Sequence, residues 1–250
     1  MAVDPNKNRC PWCGDAPDYQ QYHDEVWGIP VYDSQDLFAK LCLDGQQAGL
    51  SWITILRKQK GYEDAFFNFD PYALSKIKGA NRDACIEAQM QNPEIIRNRL
   101  KIESIFRNAD AYVGLEQKLS SKADSLQGPI NTDGAPERSD ALTIANEGIY
   151  GSSKENTEPQ NFSEWLWAFV GGAPIVNTPQ SMADIPTQTK VSQQMSKQLK
   201  RAGFNFVGPT ICYAFMQAVG MVNDHLNSCD FKHIPGRRDR TTASSNRDIE

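Results

Sequence analysis

The chain has 250 residues, 40% of them hydrophobic and 23% charged, enough apolar material for one large domain or two small ones without covalent staples. Its formal net charge of -5 argues against a surface that is basic all over. A local basic patch for phosphates is still allowed, because it is the patch and not the total that meets a polyanion. No run approaches the roughly 18 apolar residues of a membrane span, and Met1 to Arg9 lacks the apolar centre of a signal peptide. The expectation is an intracellular, cytoplasmic protein with no membrane partner. Six cysteines without secretory signals are better read as reduced thiols or metal ligands than as a disulfide framework.

Residues 1–8 read as a disordered start. Asp33 or Ser34 can cap a helix carrying Leu37, Phe38, Leu41 and Cys42 on one apolar face. That face breaks at Leu43-Asp-Gly-Gln-Gln-Ala-Gly-Leu-Ser-Trp52, where an acid, two amides, two glycines and a tryptophan follow one another. Such a mixture suits a polar pocket with one carboxylate and a large ring. It also suits a helix end with Gly49 as the stop and Trp52 in the core.

Ser51 opens a second apolar run, Trp52, Ile53, Ile55 and Leu56, closed by Arg57, Lys58, Lys60 and Gly61, a charge placement suited to a helix C-terminus. Short helices are predicted around Tyr62 to Phe67, Pro71 to Ile77 and Arg82 to Met90, the last capped by Asn81. Ile102, Ile105, Phe106, Ala109, Tyr112 and Val113 then form a strong helical stripe. Asn92-Pro-Glu-Ile-Ile-Arg-Asn precedes it, so the unit reads as helix, short hairpin, helix.

From about 118 to 160 the chain is rich in Ser, Asn, Gly, Pro and acids, and reads as a flexible acidic insertion. Helices resume with Ser163 as a cap, with Thr189 before Val191, Met195 and Leu199 and a stop at Gly203, and with Gly208-Pro209 opening a run through Val219. Residues 230–250 read as a disordered tail. Two-residue alternation is almost absent, so the predicted fold is all-α, a helical bundle over residues 9–229.

Three histidines occur. His225 and Cys229 are four apart, and Cys10 and His23 supply a further thiol and imidazole, a Cys2His2 set suited to tetrahedral zinc. On residues alone, a buried structural histidine is as good a reading.

Four separated segments resemble the 3-methyladenine DNA glycosylase I family: Tyr22-His-Asp-Glu-Val-Trp-Gly-Ile-Pro, Leu43 to Trp52, Ile95-Ile-Arg-Asn-Arg and Phe206-Val-Gly-Pro-Thr-Ile-Cys-Tyr-Ala-Phe-Met-Gln-Ala-Val-Gly-Met-Val-Asn-Asp-His. The likeness spans roughly 9–116 and 160–229 and leaves the acidic insertion outside. It implies a monomeric helix-hairpin-helix enzyme that acts on double-stranded DNA containing alkylated adenine. It also implies a structural zinc on Cys10, His23, His225 and Cys229, with Cys13 and His233 as rival ligands. Four protein ligands close a zinc site to chemistry, so the ion would tie the termini together.

A base buried in duplex DNA must be flipped before its bond to the sugar can be cut. Adenine methylated at N3 is cationic, already a good leaving group, and favoured by electron-rich rings at roughly 0.5 to 2 kcal/mol per contact. Trp12, Tyr19, Tyr22, Trp27 and Trp52 are the ring candidates, and Asp44 is the catalytic and base-reading carboxylate. Leu50 is the candidate wedge. Arg97, Arg99 and Lys101 are the phosphate cations.

Two residues depart from the family pattern. Asp44 stands where it has Glu, about 1.5 Å shorter in reach, and Glu94 stands where it usually has glycine. They leave two readings: an active glycosylase, or a zinc-stapled damage-binding module with weakened or lost catalysis.

Overall fold

The computed structural model describes residues 3–126 and 158–232. Ten α-helices carry the described fold: α1 (Pro17–Glu25), α2 (Ser34–Gln47), α3 (Trp52–Leu56), α4 (Gln59–Ala65), α5 (Pro71–Lys76), α6 (Gly79–Met90), α7 (Arg99–Leu126), α8 (Phe162–Trp167), α9 (Lys190–Ala202) and α10 (Pro209–Ala218). A short 3-10 turn, Pro11–Cys13, precedes α1. The helical expectation holds with one addition. Strands β1 (Ile175–Val176) and β2 (Val222–Asn223) pair in parallel, Ile175 beside Val222. This small ladder fixes the segment that leads to His225 and Cys229.

The helix α2 is the axis of the molecule. Asp33 starts it by accepting from the amides of Gln35 and Asp36. Contrary to the expected break, α2 runs on through Asp44, Gly45 and Gln46, all of them buried. Its last turn is surrounded by protein, so amphipathic spacing gives way to polar residues with internal partners. Gln46 donates to the carbonyl of Lys101 at 3.0 Å and accepts from the hydroxyl of Tyr62 at 3.3 Å.

Lys101, read from sequence as a phosphate cation, is only 6% exposed. Its ammonium donates to the carbonyls of Gln46 and Ala48, each at 2.7 Å. The charge thus satisfies free carbonyls at the C-terminus of α2, where a cation also meets the helix dipole. We predict that Lys101→Met lowers stability by about 1 to 3 kcal/mol, the cost of leaving buried acceptors unmade, with no change in the salt dependence of DNA binding. Denaturant melts and salt titrations read the two effects separately.

Several boundaries move. The run that opens at Trp52 stops at Leu56, and α4 starts at Gln59, so Lys60 and Gly61 lie inside a new helix. Gly61 has a packing reason: a Cβ there would lie 2.5 Å from the carbonyl oxygen of Glu94. The connection 91–98 between α6 and α7 therefore rests directly on α4. The helix α6 begins at Gly79, three residues before the expected start. Asn161, not Ser163, caps α8. Thr189 and Gly203 cap and stop α9 as expected.

The helix α7 continues to Leu126, into the segment expected to be a flexible acidic insertion. The rest of that segment up to 157, His233 and the tail beyond lie outside the described residues. Asn8 and Asp230, which lie in the ends expected to be disordered, meet each other. The amide of Asn8 donates to Asp230, its side chain donates to the carbonyl of Ser228, and the amide of Asp230 donates back to Asn8. Lys232 is buried, donating to the carbonyls of Asn177 and His225. No helix among the described residues is long and apolar enough to cross a membrane.

Candidate active site

Several elements converge on a cavity of about 230 Å³. The 3-10 turn brings Trp12, and α1 brings Tyr19 and Tyr22 three residues apart on one face. The turn after α1 adds Trp27, α3 adds Trp52 at its first position, and α2 contributes Lys40, Asp44 and Gln47 on successive turns. On the far side lie Ala214, Gln217 and Ala218 of α10, with Met182 and Ile185 at the mouth.

Trp12 packs edge to face against Tyr19 and Trp27, while Tyr22 is tilted against Trp52. Trp12 lies 5.1 Å from Tyr19 and 4.9 Å from Trp27 between centroids, and Tyr22 lies 5.5 Å from Trp52. Such contacts fix the ring planes. The cavity is a slot lined by aromatic rings.

Asp44 is 1% exposed. One carboxylate oxygen accepts from the ammonium of Lys40, one turn earlier on α2. The other, Oδ2, has no hydrogen-bond partner, and neither do the indole N–H groups of Trp12 and Trp52. A buried polar atom without a partner costs about 1 to 3 kcal/mol, and a ligand that donates to Asp44 would recover it. Burial pushes the Asp44 carboxyl above the ordinary aspartate range, and Lys40 pulls it partly back. Burial likewise lowers the Lys40 ammonium, against the opposing effect of Asp44. The Tyr22 phenol is raised well above its usual value by burial first and the Asp44 charge second, so it stays protonated.

Sequence reading missed the polar lining residues Lys40 and Gln217, as well as the apolar Met182, Ile185, Ala214 and Ala218. Gln217 is held by Asp224, which accepts from its Nε2 at 2.7 Å and from the Tyr213 hydroxyl at 2.6 Å. That leaves the amide oxygen of Gln217 as the group to meet a ligand.

Behind the aromatic wall sits a thiol and imidazole cluster. The ligand atoms of Cys10, His23 and Cys229 lie within 4.8 Å of one another, and all three residues are buried. His23 Nδ1 donates to Asp24 at 2.8 Å, which turns Nε2 towards Cys229 Sγ at 3.6 Å. A carboxylate behind the imidazole is the arrangement that orients a metal-binding histidine. The Cys10 thiol against Cys229 lowers the Cys229 pKa and raises that of Cys10.

Of the four expected ligands these three form the group. The His225 ring lies beside it, 5.1 Å from His23 and 4.5 Å from Trp27 between centroids. Gly28, at φ +77, lets it in, since a Cβ there would meet the ring at 2.7 Å. Cys13, a rival ligand, instead directs its thiol to the carbonyl of Cys10. Soft thiolates with imidazole in a closed setting fit zinc.

The remaining candidates, Leu50, Arg97 and Arg99, lie on the surface. Leu50 is exposed after Gly49, at φ +76, in the turn that joins α2 to α3. Arg97 is exposed in the connection 91–98, while Arg99 pairs with Glu87 of α6. Among the described residues no ion pair joins Glu94 to Arg97.

A slot of tryptophan and tyrosine rings closed by a buried acid, on a helical frame, is built to hold one flat heterocycle, and comparison with known proteins places that frame. The sequence profile of the methyladenine glycosylase family matches residues 12–149 and 141–233. The DNA-3-methyladenine glycosylase of Haemophilus influenzae is 42% identical over 224 residues, 90% of this chain and 97% of its own length. DNA-3-methyladenine glycosylase 1 of Escherichia coli is 39% identical over 221 residues, 88% and 95% of the two chains. The 3-methyladenine DNA glycosylase I of Staphylococcus aureus, solved for the structural basis of 3-methyladenine recognition, superposes with a TM-score of 0.71 at 32% identity, covering 91% of this chain and 98% of its own. The chain belongs to the methyladenine glycosylase family. The profile match runs into the segment 118–160, which sequence reading had placed outside the likeness.

Proposed function

We propose that this protein is a DNA base-excision repair glycosylase that takes an alkylated adenine out of the duplex and hydrolyses its bond to the sugar, with 3-methyladenine as substrate. The observation that carries this reading is the aromatic cavity ended by a buried carboxylate oxygen without a partner. A flipped purine would lie among Trp12, Tyr22 and Trp52, and an exocyclic amine would donate to Asp44 Oδ2. The base leaves with the electrons of the bond between C1′ and the ring nitrogen, which cancel its positive charge, so no strong general acid is needed. Water then adds to the oxocarbenium-like C1′ and gives up one proton to solvent, leaving a hydroxyl on the sugar, and the negative charge of Asp44 stabilises the developing positive charge.

The pocket assignment is tested by titrating free 3-methyladenine against tryptophan fluorescence. Quenching in the wild type that is weakened in Trp52→Ala is expected. Equal quenching in both would move the base away from Trp52.

The connection between α6 and α7 serves, in this reading, as the hairpin of a helix-hairpin-helix motif. It would hold the backbone of double-stranded DNA through its amides and Arg97, with Arg99 nearby and Leu50 filling the space left by the flipped nucleotide. Removing one phosphate contact should flatten the log-log salt slope of binding by about one unit. We expect this of Arg97→Ala. An unchanged slope in both Arg97→Ala and Arg99→Ala would place the DNA face elsewhere.

Cys10, His23 and Cys229, with His225 as the fourth ligand, would hold one zinc ion. Its role would be to clamp the first and last described segments, which already meet through Asn8 and Asp230. Bound zinc supplies folding energy here and no open coordination position. We read the protein as a monomer.

A further inference from the structure

Lys40 is not accounted for by the chemistry of excision. Among the described residues, Lys40 and Asp44 are the only charged ones that line the cavity. They are one turn apart on α2 and paired. The same ammonium lies 3.8 Å from the centroid of the Trp52 ring. A cation over an indole face within about 6 Å is attracted by the ring quadrupole. The two interactions that would select a positively charged base over an uncharged one, a carboxylate and an indole face, are thus already made by a residue of the chain itself.

We propose that Lys40 is a specificity-determining residue of this pocket, an internal cation that mutes discrimination by charge while leaving discrimination by shape and hydrogen bonding in place. This rests on the reading of the cavity as the base pocket. With Lys40 present, the ionised pair has no net charge. Without it, the pocket would carry the single negative charge of Asp44, and a cationic purine would gain more than a neutral one. Asp44 Oδ2 is not used by Lys40, so its hydrogen bond to an exocyclic amine is open to either base. The pocket therefore reads the adenine edge and the added methyl group more than it reads the charge, which widens the alkylated bases it accepts towards uncharged ones.

The test compares two small ligands of one shape. One is 3,9-dimethyladeninium, a permanent cation in which a methyl group stands for the sugar. The other is its uncharged 3-deaza counterpart. Dissociation constants are measured for both, on the wild type and on Lys40→Met, with Lys40→Gln as the second variant should the first not fold. In the variants the preference for the cation should rise by about tenfold, equivalent to about 1.4 kcal/mol, and adding Asp44→Asn should remove the gain. A preference that is unchanged, or that moves towards the neutral ligand, overturns the proposal. Because binding alone is read, this outcome is separate from failure of the proposed function, which would show as no base released from methylated DNA.

Discussion

Replacing Asp44 by asparagine should slow release of 3-methyladenine by roughly ten-fold or more, about 1.4 kcal/mol of lost transition-state stabilisation, while the fold is kept. Asparagine preserves an acceptor for the edge of the base and removes the charge that opposes the positive sugar. Asp44→Glu should retain or raise activity, since the extra methylene restores the reach of the family's usual residue. Single-turnover kinetics checks both variants. An Asp44→Asn protein as fast as the wild type would make Asp44 a structural helix-end residue.

The pH dependence follows from the direction of the shift. Burial holds the Asp44 carboxyl above its ordinary value, so the acid limb of the rate should lie above the usual aspartate pKa of about 3.9 and vanish in Asp44→Asn. For stability the sign is that of a group raised on folding. Its contribution is fully present below the unfolded pKa and lost as pH rises through the folded one. Ionising Asp44 thus costs the fold stability, as expected of a group placed for function.

The largest stability effect should come from the cluster of Cys10, His23 and Cys229. One equivalent of zinc should copurify, and Cys229→Ala should cost at least about 4 kcal/mol, a size that loss of a bound metal can reach. Cys229 lies outside the cavity lining, so the pocket's response to free 3-methyladenine at low temperature should change little. Metal analysis that finds no zinc in protein prepared without chelator would contradict this.

What the sequence discloses depends on whether a residue's role is local. The stripe from Ile102 to Val113, the caps at Asp33 and Thr189 and the stop at Gly203 were legible, because helix periodicity and capping are written in neighbouring residues. The last turn of α2 was not. There the helix is enclosed on all sides, and the polar residues Asp44 and Gln46 are matched by Lys40, Tyr62 and Lys101, the last two distant in sequence. Lys101 misled for the same reason, since a lysine beside two arginines looks like a phosphate contact until its carbonyl partners are seen. Asp44 and Trp52 stood out in the sequence as an acid and a ring that suit either a pocket or a helix end, the family resemblance favoured the pocket for them and for the other four rings, and the structure brings all six residues around one cavity. Lys40 was missed because nothing in its spacing distinguishes a cation pointing into a pocket from one facing water.

The central claim is tested most directly by incubating excess wild-type protein with duplex DNA that carries 3-methyladenine, counting free base and abasic sites together. Glycosylase action predicts equal amounts of each, formed in one turnover. Lesion DNA that is bound and recovered intact, with no free 3-methyladenine, would contradict it and leave a damage-binding module in its place.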